Sequence, residues 1–350
     1  MNAFHTGNPG PGDPVTADDG FLGCQAERDA ASVVLIPVPF DATCSSRAGA
    51  SLGPRTIIES SVFLDTQDAV FGTFEEIGVH LESTADWIEP LSMDTRRLVE
   101  SLLARGPGPD DVQRIAEIDA ACDRVQSFVF ERCAAALAEG RTPGVIGGEH
   151  GVSYASIRAS SESGPIGVLH VDAHLDLRDR YLGLEYSHAS VMRNALDRLA
   201  RVERLVSVGI RDWSAEEADL VEVSDGRVML MRDDDIASRL CRGETWSTLC
   251  DEIIAVLPQR VHVSFDIDGL EPGLCPNTGT PVPGGLSFRD ASYLLRVLAE
   301  SGKSVVGFDL VEVAPPVGAE VQGERTLDGV VGARVLQKLI GCVSSSNRSG

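Results

Sequence analysis

Lysine is almost missing from this chain: of 350 residues only Lys303 and Lys338 are lysines, so nearly all of the 30 basic residues are arginine, against 53 acidic ones. The lysine scarcity is a bias of composition and carries no chemistry. The resulting formal charge of −23 argues against a nucleic-acid or anionic-membrane surface and favours a cationic ligand. No apolar run approaches the ~18 residues of a membrane span, and MNAFHTGNPGPGDPV has neither a basic start nor an apolar signal core. The expectation is a soluble, cytoplasmic protein. Paired cysteines are missing too: Cys24, Cys44, Cys122, Cys133, Cys241, Cys250, Cys275 and Cys342 stand singly with no CxxC, which excludes a disulfide scaffold and leaves reduced thiols. No P-loop or GxGxxG fingerprint supports a nucleotide.

What is present is an alternation. Short apolar, β-branched runs recur at VVLIPV (33), GVIGG (144), IGVLHVD (166), RLVSVGIR (204), RVMLM (227), RVHVSFDID (260) and SVVGFDLVEV (304), mostly apolar without a break, as parallel strands covered on both faces must be. Between them lie helix-like segments such as residues 111–140, where Ile115, Ile118, Cys122, Val125 and Val129 recur at helical spacing. The pattern is that of an α/β sheet. Residues 1–30, rich in Gly, Pro and Asp and without periodicity, read as a mobile N-terminal arm, and 31–350 as a single domain.

Three strands end in metal-binding residue types. HVDAHLDLRD sets Asp172, His174 and Asp176 at alternate positions, which share a face in extended chain. RVHVSFDIDGL delivers Asp266 and Asp268, and PGVIGGEHG ends in Glu149 and His150 after paired glycines suited to a tight turn. Ligands in open parallel sheets collect at the carboxyl ends of strands, so these segments are expected to meet at one edge. Four aspartates gathered there cannot all stay ionised without compensation. His150, Asp172, His174, Asp176, Asp266 and Asp268 are too many for one zinc with an open position and suit two divalent ions. Oxygen-rich ligation with some imidazole favours Mn2+, with Ni2+, Co2+ or Fe2+ as alternatives. His170 reads as a core or supporting histidine.

GGEHG, HVDAHLD and SFDIDGLEPGLCPNTGTPVPGGLSF, in this order, closely resemble the three signature motifs of the ureohydrolases, the arginase and agmatinase family. The likeness extends to PFDATCSSRAGASLGPRTI, YSHAS, VGIR and GFDLVEV, and so covers the chain from about residue 30 to its end. YSHAS, VGIR and SLGPR look more like agmatinase-type members than animal arginases. The resemblance implies a three-layer α/β/α sandwich around a mainly parallel sheet of about eight strands, and a homo-oligomer, trimer or hexamer. It implies that His150, Asp172, Asp176 and Asp266 hold one ion and His174, Asp268, Asp172 and Asp266 the other. Asp176 would help move the proton of the bridging hydroxide, His188 would shuttle protons, and Glu312 would pair with the substrate guanidinium.

The chemistry gives each a reason. A guanidinium is resonance-stabilised and a poor electrophile, so a metal-activated hydroxide is needed. A carboxylate matches its flat, multi-donor edge, and the departing amine leaves only if protonated. The implied reaction is agmatinase-like, agmatine to putrescine and urea, with guanidine hydrolase, guanidinobutyrase or arginase as alternatives of the same chemistry. Some positions depart from the family pattern. Glu149 and Gly151 stand where GGDHS is commoner, Glu271 replaces an Asp, Ala314 an Asn, and Arg178 stands where arginases hold the α-amino acid end of their substrate with a small polar residue. Arg178 is therefore a candidate substrate-binding residue that speaks against arginine. Two other classes remain: a serine hydrolase built on Ser153 in GVSYA, whose Ala155 spoils the GxSxG elbow, and a non-catalytic metal-binding member.

Overall fold

The computed structural model describes residues 16–318 and 325–348. Each apolar run noted above forms a strand. With three further short strands, the strands in chain order are β1 (Val33–Val38), the two members of a small antiparallel hairpin, β2 (Gln67–Asp68) and β3 (Gly72–Thr73), then β4 (Val79–Leu81), β5 (Thr142–Gly147), β6 (Ile166–Val171), β7 (Val202–Ile210), β8 (Val228–Arg232), β9 (Arg260–Asp266) and β10 (Ser304–Val311). Eight of them make one sheet in the order β4-β1-β5-β10-β9-β6-β7-β8, with every pairing parallel.

The helices are α1 (Gly53–Ser61), α2 (Ile88–Arg105), α3 (Val112–Ala138), α4 (Ser153–Glu162), α5 (Val191–Arg198), α6 (Ala215–Val223), α7 (Asp233–Cys241), α8 (Trp246–Ala255), α9 (Phe288–Glu300) and α10 (Leu327–Arg348). Alternation along the strands divides the core between two helical layers. Val33 and Leu35 of β1 belong to the buried layer that includes α1, α8, α9 and α10, whereas Val34, Ile36 and Val38 belong to the layer that includes α2, α3 and α4. Both faces are covered, and the fold is a three-layer α/β/α sandwich. Each such fully buried aliphatic side chain contributes roughly 1.5–3 kcal/mol.

The segment 17–30 is packed, unlike the loose arm its composition suggests. Phe21 and Leu22 are buried, the Phe21 ring meets Phe74 edge-on at 5.5 Å, Leu22 N donates to Ser61 Oγ, and Ala26 N donates to Val79 O of edge strand β4. Two large apolar side chains in a Gly- and Asp-rich stretch anchor it. Residues 1–15 lie outside the described residues.

The sheet order fixes the site. β5, β10, β9 and β6 are consecutive neighbours, so the residues at and just beyond their carboxyl ends are brought together: His150, Glu312, Asp266 with Asp268, and Asp172 with His174 and Asp176.

Candidate metal centre

His150 opens a 3-10 turn after β5. Of the paired glycines before it, neither has a positive φ; they serve close approach instead, since a Cβ on Gly148 would collide with the Phe40 carbonyl. Buried His150 points Nδ1 at three carboxylate oxygens, Asp172 Oδ2 at 3.0 Å, Asp176 Oδ2 at 2.9 Å and Asp266 Oδ2 at 3.4 Å. That nitrogen is buried without a hydrogen-bond partner among the described residues. A second group stands beside it: His174 Nδ1 lies 3.4 Å from Asp172 Oδ1 and 3.2 Å from Asp268 Oδ2. Asp172 belongs to both groups, one oxygen in each. Asp266 meets the first through Oδ2, while its Oδ1 accepts from Asp268 N at 2.8 Å.

Alternation along a strand does not produce this convergence. β6 ends at Val171, and Asp172, His174 and Asp176 lie in the loop beyond it, where Asp176 takes a φ of 53°. Asp266 is the last residue of β9, and Asp268 lies in a 3-10 turn. The chain must bend around the site to aim all four carboxylates inward. Glu312 is also left-handed, with a φ of 63°. Such conformations cost a non-glycine residue of order 1–3 kcal/mol, and the surrounding structure must hold them.

As these side chains stand, the electrostatics are opposed. Burial, then the Asp172 charge, pushes Asp176 up to about 6, and burial with nearby Asp268 pushes Glu312 up to about 8. Burial alone would depress His174, but Asp268 and Asp172 draw it up to about 12. Oxygen-rich donors with imidazole, an orphaned buried nitrogen aimed at carboxylates, and a shared carboxylate between two groups fit a pair of divalent ions.

The supporting contacts set the tautomer of His150. Ser264 Oγ donates to Asp309 Oδ1 at 2.7 Å and lies 2.9 Å from His150 Nε2. Asp309 also accepts from Ser153 Oγ and faces His262 Nε2 at 2.8 Å; burial works against its ionised form, but His262 outweighs it and holds the pKa below the usual range. An ionised Asp309 only accepts, so the single Ser264 proton goes to it and the neutral His150 ring must carry its proton on Nε2. Nδ1 is then left bare toward the carboxylates. Buried His170 bridges Ser207 Oγ and Asp172 Oδ2 at 3.0 and 2.8 Å. Ser153 is fully buried and gives its proton to Asp309 rather than to a histidine base, which speaks against it as a hydrolase nucleophile.

The remaining candidates surround this centre. Glu312 Oε1 accepts from His150 N at 2.8 Å. His188 Nε2 lies 3.1 Å from Ser45 Oγ, its ring meets Tyr181 edge-on, and its Nδ1 is buried without a hydrogen-bond partner among the described residues. Burial, with the His174 and His150 charges, lowers it to about 3. Glu149 Oε2 accepts from both N and Oγ1 of Thr43, fixing the loop that presents Ser45. Gly151 lies under His188: a Cβ there would come within 3.2 Å of His188 N and 3.1 Å of the Ser187 carbonyl carbon. Exposed Arg178 stays outside the cluster, 4.0 Å from Glu217 and 5.8 Å from the Tyr181 ring. Ser45, Ser264 and Asp309 were not found by sequence reasoning. The signal for Ser264 was available, because His262, Ser264 and Asp266 alternate as polar residues in a strand otherwise fit for burial.

Residues 31–341 match the family model described as "Arginase family". Among curated proteins, the N(1)-aminopropylagmatine ureohydrolase of Synechocystis sp. is 30% identical over 322 residues, covering 91% of this chain and 91% of the relative. The guanidinobutyrase of Pseudomonas aeruginosa is 30% identical over 329 residues, covering 91% and 88%. Among solved structures, the agmatine ureohydrolase of Thermoplasma volcanium superposes with a TM-score of 0.68 at 25% identity, covering 93% of this chain and 94% of that one.

Proposed function

This chain belongs to the arginase family, whose ureohydrolases are metal-dependent hydrolases of guanidino C–N bonds, and on that premise we propose that it hydrolyses agmatine or a close amine-tailed relative to urea and a diamine. The observation that carries the chemistry is Asp172, one oxygen in each of two His/Asp groups. His150, Asp172, Asp176 and Asp266 would hold one ion, and Asp172, His174, Asp266 and Asp268 the other, with Mn2+ the ion of choice for so oxygen-rich a set. When bound, the pair supplies Lewis acidity and a hydroxide at neutral pH.

The chain supplies the rest. Glu312 is oriented by the His150 amide and offers its other oxygen beside Gly279, where a planar guanidinium can pair with it. Asp176, with its Oδ2 beside His150, is placed to take a proton and pass it on. His188, anchored by Ser45, carries a proton to the departing nitrogen, which must leave as an amine rather than an amide anion. The net charge of −23 favours a dicationic substrate over an anionic one.

A guanidino acid is the second reading, favoured by one observation: the Arg178 guanidinium, exposed and next to the Tyr181 ring that contacts His188, could meet a carboxylate tail. Cytoplasmic location and a homo-oligomer, trimer or hexamer, belong to the same proposal.

Urea release from agmatine, arginine, guanidinobutyrate and guanidine, with bound metal counted after loading with manganese or nickel, decides between these. Two ions per chain and preference for agmatine support the first reading. Preference for guanidinobutyrate moves the assignment to the second, and two ions without turnover of any of the four overturn both.

A further inference from the structure

VGIR ends β7, and its arginine lies in neither ligand group, yet all five of its N–H donors are directed at main-chain carbonyls. Arg211 Nε donates to Val282 O at 3.1 Å, Nη1 to Gly209 O and Gly269 O at 2.9 and 3.5 Å, and Nη2 to Asp268 O and Leu270 O at 2.5 and 3.1 Å. Three of these carbonyls belong to consecutive residues of the turn that carries Asp268. The backbone of the same residue reaches the other loop: Arg211 N and Asp212 N both donate to Ala173 O, at 2.8 and 3.0 Å, and Asp212 is bridged to His174. The loops are also tied to each other by Ala173 N, which donates to Asp268 Oδ1 at 3.0 Å.

We infer that Arg211 is a positioning residue for the His174 side of the metal pair, its side chain fixing the turn of Asp268 while its backbone fixes the turn of His174. The inference rests on the two-ion reading above. A planar cation with five donors in a fixed fork is the one side chain that can satisfy so many carbonyls at once. PVPGG in the third motif makes room for it. Gly284 and Gly285 have φ of 96° and 104°, and a Cβ on Gly285 would lie 2.8 Å from both Arg211 Nη2 and the Leu270 carbonyl. None of the Arg211 contacts above reaches His150 or Asp176, so its effect should fall on one ion.

The test is stepwise manganese binding to the metal-free full-length protein, followed by calorimetry and by electron paramagnetic resonance, which separates a coupled pair from a single ion. Native protein, Arg211→Ala, Arg211→Lys and Gly285→Ala are compared. The native protein is expected to bind two coupled ions. Arg211→Ala should keep one ion at native affinity, bind the second about 10–100-fold more weakly, as expected for a lost supporting contact, and show the single-ion signal. Arg211→Lys should not rescue it, because a compact ammonium cannot span carbonyls from residue 209 to residue 282. Gly285→Ala should give the same asymmetric loss. Two ions at native affinity in Arg211→Ala overturn the inference, as does parallel weakening of both ions in Arg211→Lys and Gly285→Ala, which decide the matter if the alanine variant fails to fold. A native protein that binds fewer than two ions overturns the two-ion reading itself, and the inference with it.

Discussion

Ser264 gives its only proton to Asp309, 2.7 Å away, and so can do nothing but accept from His150. Through that contact a buried carboxylate outside the proposed ligand set keeps His150 in the tautomer that leaves Nδ1 free. Ser264→Ala is expected to weaken the His150-side ion by about 10–100-fold and leave the His174-side ion in place. Stepwise manganese titration, which reads the affinity of each ion separately, checks both halves. Native affinity at the first site would refute the relay.

Asp172 turns one oxygen to His150 and the other to His174, and with Asp266 it is shared by both proposed ion sets. Asp172→Ala should therefore abolish the pair and all urea release together, whereas Asp268→Ala removes a ligand from one group only and should leave a single ion bound. Metal counting after gel filtration distinguishes them. An Asp172→Ala protein that retains two ions would contradict the shared-ligand arrangement.

Much of this was legible in the sequence, for identifiable reasons. Long β-branched runs announced seven strands because both faces of a parallel sheet are buried. β4 escaped because it is three residues long and only Val79 in it is fully buried. The six proposed ligands were legible as residue types at strand ends, but the way they converge was not: alternation predicts one face of a continuing strand, whereas the chain leaves β6 at Val171 and turns through a left-handed Asp176. Backbone conformation of that kind has no signature in an aspartate. Arg211 was quoted in a motif without a role, because its partners are carbonyls, which every residue has.

Stability of the metal-stripped protein should fall as pH rises from about 6.5 to about 8. Glu312, raised to about 8, and His174, raised to about 12, hold protons in the folded protein that the unfolded chain has already shed in this window, and His150 is raised as well. The folded state thus binds more protons, and the slope is negative, about 1.4 kcal/mol per pH unit for each proton. His188, lowered to about 3, acts in the opposite direction chiefly below pH 6.5 and fades over about the next unit. Bound ions replace the His174 and His150 protons, and their charge draws Glu312 down, so the metal-loaded protein should show no such fall. Thermal unfolding at pH 6.5, 7.25 and 8 with and without manganese checks the sign. A metal-free protein that gains stability over this range would contradict the proton inventory.

His188 and Glu312 separate two kinds of contribution. His188 stands beside the centre, held by Ser45 rather than by any of the six proposed ligands. His188→Ala should keep both ions and lower kcat by about 10²–10⁴-fold, the usual worth of a positioned proton donor. Glu312 needs a subtler replacement, because its Oε1 also accepts from the His150 amide and alanine would disturb a proposed ligand. Glu312→Gln keeps an oxygen for that amide and removes only the charge offered to the guanidinium. Hydrogen bonds to charged groups are worth roughly 1.5–3 kcal/mol, so kcat/KM should fall by about 10- to 150-fold with metal content unchanged. Unaltered kinetics in the glutamine variant would take the substrate contact away from Glu312, and a loss of metal would show that its work is done through His150 instead.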